Sequence, residues 1–330
     1  MVTVLLFAAA LAFLYGARRT IVAFIFAIFF AYLIDPLVCK VQDLVHGRGK
    51  ALLIVYLALF VALALLGLLV GPKLVREGTR LAHSFPEFYE KLASGQIAFT
   101  IGDQHGWSAE TEAKIQAFLQ NHRGQIMSWA THFGQRLAVL VSNSWLLLLI
   151  PILGAFFLKD GRSMADSVVD LVSRHRQREF IESVLNDVNI MLAHFIRAQL
   201  ILAILSLAFY TVLLLILHVS FGAVMGVIGG ALEFIPIVGP LVAAFMILGV
   251  SLVTGFGHVL ILGLLLGGWR VVQDYVNSPR IMGKHVELHP LATLFGILCG
   301  AEIAGVVGVY LSVPMMATLR ILWRHWRAYL

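Results

Sequence analysis

Charged residues are scarce in this sequence: Asp, Glu, Lys and Arg together make up 13% of its 330 residues. Soluble domains carry about 25% of such residues. Hydrophobic residues make up 60% of the chain, which leaves too little polar surface for an ordinary water-soluble domain. The composition therefore predicts an integral membrane protein.

Cysteine is also rare, with only Cys39 and Cys299 in the chain. Both lie in or beside apolar segments without metal-type spacing, which argues against a disulfide framework and against a zinc site. The histidines form no metal-binding spacing such as His-Glu-x-x-His, and the sequence contains no P-loop and no nucleophile motif. We therefore expect no metal, no cofactor and no ATPase activity, and transport is favoured over enzymatic activity.

Long apolar runs of Leu, Ile, Val and Ala are what the sequence has in abundance. A membrane-spanning helix needs roughly 20 mostly apolar residues, and its backbone groups must pair within the segment. The runs are continuous rather than alternating, which favours helices over a membrane β-barrel. The chain is predicted to be an all-α, polytopic transmembrane protein with about eight hydrophobic helices, near 2–16, 20–38, 51–71, 139–158, 198–218, 221–254, 258–277 and 291–319.

Two less apolar segments, 72–138 and 159–197, are interpreted as polar helical insertions in a single transmembrane domain of residues 1–330. In the first, apolar residues recur at helical spacing after Ser108, a suitable N-cap, and predict an amphipathic helix beside the membrane over 108–140. The net charge of +6 is attributed to basic residues at helix ends rather than to nucleic-acid binding. The basic residues that close the chain are expected in the cytoplasm; they are Arg320, Arg324 and Arg327.

Repeats of small residues mark two of the predicted helices for close packing. Gly222, Gly226 and Gly230 recur every four residues, and this spacing lets helix backbones approach each other closely. The last apolar run has a second stripe, which is expected to pack against another helix or a neighbouring subunit. Its members are Gly296, Gly300, Ala304, Gly308 and Ser312.

A helix break is predicted at Glu233–Pro240, directly after the first glycine repeat. Pro236 and Pro240 interrupt helical hydrogen bonding, and Gly239 lies between them. Carbonyl groups freed at membrane depth are tolerated only inside protein or beside water, and transporters use broken helices to bind substrates or ions. Glu233 is ionisable within an apolar stretch and is therefore a candidate for the solute or ion path. Alternatively, it only caps freed backbone N–H groups.

Other charged residues within apolar runs are candidates for the same path. Arg270 and Asp274 are four residues apart and form either a structural ion pair or a relay. Glu302 lies off the second glycine stripe and is expected to face a protein surface or a cavity, because a charge that faces lipid is costly. The second apolar run is expected to end at Asp35-Pro36.

Several segments resemble, in order along the chain, the motifs of the autoinducer-2 exporter family, a family of bacterial permeases. The most characteristic is the run Glu233-Phe-Ile-Pro-Ile-Val-Gly-Pro240. Together the similar segments extend over nearly the whole chain. The others are Ala31-Tyr-Leu-Ile-Asp-Pro36, Phe156-Phe-Leu-Lys-Asp-Gly161, Arg197-Ala-Gln199, Asn277-Ser-Pro-Arg-Ile-Met-Gly-Lys284 with Leu288-His-Pro290, and Gly305-Val-Val-Gly308 with Val313-Pro314.

This resemblance implies a multi-pass protein of the bacterial inner membrane that forms homo-oligomers. Members of the family are described as exporters of the signal autoinducer-2, as sodium/proton antiporters, or only as permeases. The leading hypothesis is therefore a transporter of a small polar solute, with Arg197 and Gln199 added to the path candidates. A cation/proton antiporter and a non-transporting membrane scaffold are the alternatives. The expected partners are membrane lipid, a small polar solute or cation, and further copies of the chain, with no nucleic acid.

Overall fold

The computed structural model describes residues 16–93, 108–122, 144–170, 175–283 and 288–329, together with a few single positions between these ranges. The predicted helix at 2–16 and much of the predicted helix at 108–140 lie outside the described residues. The helices, in chain order, are α1 (Arg18–Val45), α2 (Arg48–Ala93), α3 (Ala109–Asn121), α4 (Ser144–Asp170), α5 (His175–Ile216), α6 (Gly222–Leu232), α7 (Val238–Val253), α8 (Val259–Val272), a π-helix (Gln273–Asn277), α9 (Ser278–Met282) and α10 (Pro290–Tyr329).

Long apolar helices dominate this described part of the chain. Five of them have the length and composition to cross a membrane, which confirms the prediction of a polytopic helical membrane protein. The helices α6 and α7 contain 11 and 16 residues and are shorter than the roughly 20 residues that a crossing requires. The five segments are Thr20–Val45, Arg48–Leu81, His175–Ile216, Val259–Met282 and Pro290–Arg327.

The polar segments continue the apolar helices. Helix α2 runs from its apolar half through Pro72 to Ala93, and residues 159–197 are divided between the end of α4 and the beginning of α5. Helix α1 continues through Pro36 to Val45, so the expected helix end at Asp35-Pro36 was wrong. A proline within a membrane helix removes one backbone hydrogen bond, and the bonds on either side maintain the helix.

The chain forms two compact units. Unit 1 comprises Met1–Val61, Asn143–Ala198 and Met282–Leu330, and unit 2 comprises Ala62–Ser142 and Gln199–Ile281. In unit 1, α1 packs against α4, and Arg48 Nε donates a hydrogen bond to the Leu158 carbonyl at 2.7 Å. The core there consists of Ala31, Ile34, Val38, Ala51, Leu52, Val55 and Leu158.

In unit 2, the second half of α5 contributes to a core shared with α6, α7 and α8. The buried members of this core are Tyr210, Leu214, Val219, Met225, Ala243, Ile247, Leu262 and Leu266. The beginning of α6 is held by α2, because a carboxylate oxygen of Glu77 accepts a hydrogen bond from the Val224 backbone N–H at 3.2 Å.

Helix α10, in unit 1, is folded back on itself. Ala304 and Gly305 have non-helical backbone angles, and Gly305 has a φ of 58°. The backbones at Gly300 and Gly308 touch, so a Cβ atom at either glycine would overlap the carbonyl of the other. We call this element the α10 hairpin, with a first arm of residues 290–303 and a second arm of residues 306–329.

The α10 hairpin changes the interpretation of the second stripe of small residues. Its glycines make contacts across the hairpin: Gly296 lies against Met316, and Gly300 lies against Gly308. The stripe thus packs between the two arms of the hairpin. The apolar run predicted over 291–319 is interrupted at Ala304 and Gly305. A repeat of small residues shows that backbones approach closely without showing which backbone is the partner.

Candidate functional site

The predicted break after the first glycine repeat is present in unit 2. Helix α6 ends at Leu232 and α7 begins at Val238, so the helical hydrogen bonding is interrupted between them. The backbone reverses at Ile237, whose φ of 64° and ψ of −54° are rare for a β-branched residue. The Val238 N–H donates to the Pro236 carbonyl at 2.7 Å, which closes a strained γ-turn around Ile237. We call α6, this turn and α7 the α6–α7 hairpin.

Glycine and proline have separate functions at the beginning of α7. A Cβ atom at Gly239 would overlap the Leu232 carbonyl, so only glycine allows α7 to begin directly against the end of α6. Pro240 lies in the first turn of α7, where a missing N–H is tolerated. The break itself therefore covers residues 233–237, and both Gly239 and Pro240 are buried.

The glycine face of α6 lies against α5. At each of these glycines, an added Cβ would come within about 3 Å of α5, so the two helices approach at backbone distance. Glu233 follows Gly229 by one turn of the helix. The contacts are Gly222 with Leu214, Gly226 with Thr211, Gly229 with Tyr210 and Gly230 with Leu207.

The Glu233 backbone carbonyl, which lies at the break, accepts a hydrogen bond from a side chain of α5. Gln199 Nε2 donates to it at 2.6 Å. Glu233 is 5% exposed and Gln199 is 4% exposed, so this bond is formed away from solvent. The structure thus places the freed carbonyl inside protein, where a buried donor satisfies it.

The Glu233 carboxylate is paired with Arg270 of α8. Arg270 Nη1 donates to Glu233 Oε1 at 3.1 Å, while Arg270 Nε and Nη2 donate to the two oxygens of Asp274 at 2.8 and 2.5 Å. The side chain of Glu233 is 6% exposed, against 35% for Arg270 and 44% for Asp274. Arg270 therefore bridges a buried carboxyl group and a more exposed one, so one guanidinium faces two acidic side chains.

Asp274 lies in the π-helix, which widens the helical turn after α8. In this turn Asn277 Nδ2 donates to Gln273 Oε1 at 2.6 Å, and Gln273 Nε2 donates to the Leu202 carbonyl of α5 at 3.0 Å. Single π-turns inside α-helices are frequent at functional sites. Through Gln273, the π-turn fixes its segment, which contains Asp274, against helix α5.

Sequence reasoning missed Ser206, a fully buried hydroxyl in α5. Its Oγ accepts hydrogen bonds from Gln273 Nε2 at 2.8 Å and from Trp269 Nε1 at 3.1 Å. The Trp269 ring also stacks on Phe209, with ring centroids 4.1 Å apart. A signal was present in the sequence, because Trp269 and Gln273 are four residues apart and precede Arg270 and Asp274 by one position each.

One oxygen of the site is buried without a partner. Among the described residues, neither Glu233 Oε2 nor Thr211 Oγ1 in α5 has a hydrogen-bond partner. The side chains of Ser206 and Tyr210 lie beside the Glu233 carboxyl group. Both hydroxyls could donate to Oε2 after a small shift, but as placed neither does, and a buried carboxylate oxygen that accepts no hydrogen bond is costly. It can accept a hydrogen bond from an entering hydroxyl group, or it can take up a proton.

The structure brings Glu233, Gln199, Arg270 and Asp274 together, whereas the other two charged candidates belong to unit 1. Arg197 Nε is buried and has no hydrogen-bond partner within the part of the chain that the structure describes. Glu302 lies at the tip of the α10 hairpin and is exposed in the single chain. Its expected contact with a second protein surface or a cavity stays a prediction.

Comparison with known proteins gives a match over almost the whole chain. Residues 1–328 match the model of a family described as "AI-2E family transporter". The putative transport protein YrrI of Bacillus subtilis is 22% identical over 312 residues, which cover 93% of this chain and 87% of that protein. The putative transport protein MT0215 of Mycobacterium tuberculosis is 30% identical over 206 residues, or 62% of this chain and 55% of that protein. The AI-2 transport protein TqsA of Escherichia coli is 24% identical over 313 residues, covering 92% of this chain and 86% of that protein.

Proposed function

The chain belongs to the AI-2E transporter family, and on this premise we propose that it is a secondary transporter whose solute path passes Glu233 in unit 2. The observation that carries this proposal is the buried, unpartnered Oε2 of Glu233 at the end of a broken helix. Transporters place substrate and ion sites at such breaks, and an ionisable residue in a membrane segment marks a path by default.

The chemistry of the site favours a small polar solute. Glu233 Oε2 offers an acceptor to a hydroxyl group, and Arg270 offers guanidinium donors beside it. A solute that donates to the free oxygen would remove the cost of leaving it unsatisfied. Binding would then also affect the pairing of Arg270 with Asp274, because one guanidinium holds both carboxylates.

We propose autoinducer-2 as the first solute to test, because the related TqsA of Escherichia coli is an AI-2 transport protein. The sequence carries no P-loop, so movement of the solute is proposed to follow a gradient of the solute or of an ion. The proposed location is the inner membrane of a bacterium.

Transport by purified protein in liposomes tests the proposal. Autoinducer-2 flux and sodium-dependent proton flux are measured side by side, with protein-free liposomes as the control. Autoinducer-2 flux above the control is expected. Sodium-dependent proton flux without solute flux would instead indicate a cation/proton antiporter, and the absence of both would favour a scaffold and contradict the proposal.

We also propose that the chain assembles with further copies of itself. Residues of α2 between Leu57 and Val70 are exposed almost all around the helix. Gly67 and Gly71 are four residues apart on this helix, and an added Cβ at either would meet no atom within 4 Å. Small residues at this spacing allow close packing of a second helix. Mass measurement in mild detergent is expected to show an oligomer, and a monomer at all concentrations would contradict this proposal.

A further inference from the structure

A groove of about 740 Å³ lies between the two arms of the α10 hairpin at its base, away from the tip. The first arm and the residues just before it supply one wall, and the second arm supplies the other. Nearly all of the lining is carbon. The lining residues are Leu288, His289, Pro290, Ala292, Met316, Leu319, Arg320 and Trp323.

The groove follows from the way the hairpin closes. Near the tip, Gly300 and Gly308 bring the two backbones into contact. Toward the base, the second arm presents the larger side chains of Met316, Leu319 and Trp323. Because glycine closes the hairpin only in its tip half, a long apolar space remains at the base.

Basic and aromatic residues surround this apolar space. Arg320 lines it directly, and the chain from Arg320 to Arg327 carries three arginines and no acidic residue. Arg324 and His325 both pair with Asp187 of α5, which holds this end of α10 in place. Trp323 and Trp326 are 64% and 52% exposed, and tryptophan is enriched where membrane meets water.

His289 adds a polar group at the same end. Its Nδ1 accepts a hydrogen bond from the Leu291 backbone N–H at 3.3 Å at the beginning of α10. In this arrangement Nε2 is the ring nitrogen that carries the proton of the neutral imidazole. The base of the groove thus combines a guanidinium and an imidazole donor beside an apolar channel.

We propose that this groove binds an anionic phospholipid, with an acyl chain in the apolar channel and the phosphate on Arg320. The apolar walls fit a hydrocarbon chain, and the positive charge of Arg320 at the groove complements a negative headgroup. Basic pockets between membrane helices bind such headgroups, and a single Arg near an anionic membrane surface strengthens binding about fivefold. The full-length protein is expected to retain this lipid through purification.

Native mass spectrometry of the full-length protein tests the assignment with phosphatidylglycerol and phosphatidylcholine of identical chains. Phosphatidylglycerol is expected to bind about fivefold more tightly. Arg320→Gln is expected to remove that preference and to leave the binding of phosphatidylcholine unchanged. Arg76→Gln is the matched control, because it removes one exposed arginine that does not line the groove. It is expected to change the binding of neither lipid.

A second variant tests the groove without changing its charge. Ala292→Phe fills the channel and is expected to weaken binding of phosphatidylglycerol at least fivefold. Equal binding of the two lipids by the wild type, or unchanged lipid binding by Ala292→Phe, would overturn the proposal. Displacement of the lipid by inorganic phosphate alone would show that no acyl chain is bound. A change of oligomeric mass in Ala292→Phe with unchanged lipid binding would assign the groove to a second copy of the chain.

Discussion

The α6–α7 hairpin turns at Pro236 and at Ile237, an isoleucine of positive φ, whereas the α10 hairpin turns at Gly305, a glycine of positive φ. The first hairpin ends in buried polar groups: Glu233 is 5% exposed, and its backbone carbonyl and one carboxylate oxygen both accept hydrogen bonds. The second hairpin ends in an exposed tip that contains Glu302.

This difference shows that close backbone packing alone does not mark a functional site. Both hairpins depend on glycine for the approach of their backbones, at Gly239 in one and at Gly300 and Gly308 in the other. Only the α6–α7 hairpin adds a strained turn, and such strain persists where the surrounding structure enforces it, often at functional sites. Glycine at the point of contact therefore closes both hairpins, and buried polar groups at the turn distinguish the hairpin that carries a candidate site.

The largest expected effect is on closure of the hairpins. Gly239→Ala and Gly308→Ala each place a Cβ on a backbone carbonyl, so each is expected to destabilise the protein by about 3 kcal/mol. Thermal unfolding in detergent measures the loss of stability. Gly267→Ala is the control, since an added Cβ there meets no atom within 4 Å. Equal stability of all three variants would show that the hairpins do not close on glycine.

A smaller loss of stability is expected from removing the hydrogen-bond donor to the Glu233 carbonyl at the helix break. Gln199→Ala leaves the Glu233 carbonyl without its buried hydrogen bond, at an expected cost of about 2 kcal/mol. The exposed Gln177, which is also on α5, provides the matched Gln177→Ala control. A Gln199→Ala variant as stable as Gln177→Ala would mean that the carbonyl at the break does not need this donor.

The smallest expected effects are of opposite sign at the two turns. Ile237→Gly relieves the positive φ of 64° and is expected to stabilise the protein by about 1 kcal/mol. Gly305→Ala places a side chain at a φ of 58° with no steric contact and is expected to destabilise it by about the same amount. The melting temperatures of both variants are measured against wild type. If both rise or both fall, this explanation of the two turns is contradicted.

Much of the fold could be predicted from local sequence rules. The apolar runs predicted the membrane helices, and Pro236 with Gly239 predicted the break, because both effects act within a few residues. The reversal at Gly305 could not be predicted in this way. Its Ala304-Gly305 sequence is compatible with a continuous helix, and only the contact between Gly300 and Gly308, eight positions apart, shows that the helix folds back.

The candidate site was predictable in part for a similar reason. Glu233, Arg270 and Asp274 are charged residues in apolar runs and could be recognised one at a time. That Arg270 joins Glu233 across 37 positions is a tertiary contact. Ser206 was missed because a single serine in an apolar helix is common, and the spacing of Trp269 and Gln273 does not by itself show which residue they bind.

The pH dependence of transport in liposomes by the Glu233→Gln variant tests the central claim most directly. Gln keeps the size and hydrogen-bonding capacity of the side chain but removes titration, and Glu302→Gln makes the same change at the exposed tip of the other hairpin. If Glu233 carries a proton or accepts from the solute, Glu233→Gln should assemble normally, lose the pH dependence and transport at least tenfold more slowly, whereas Glu302→Gln should behave as wild type. A Glu233→Gln variant with the wild-type rate and an unchanged pH profile would contradict the account and leave the break as a packing feature alone.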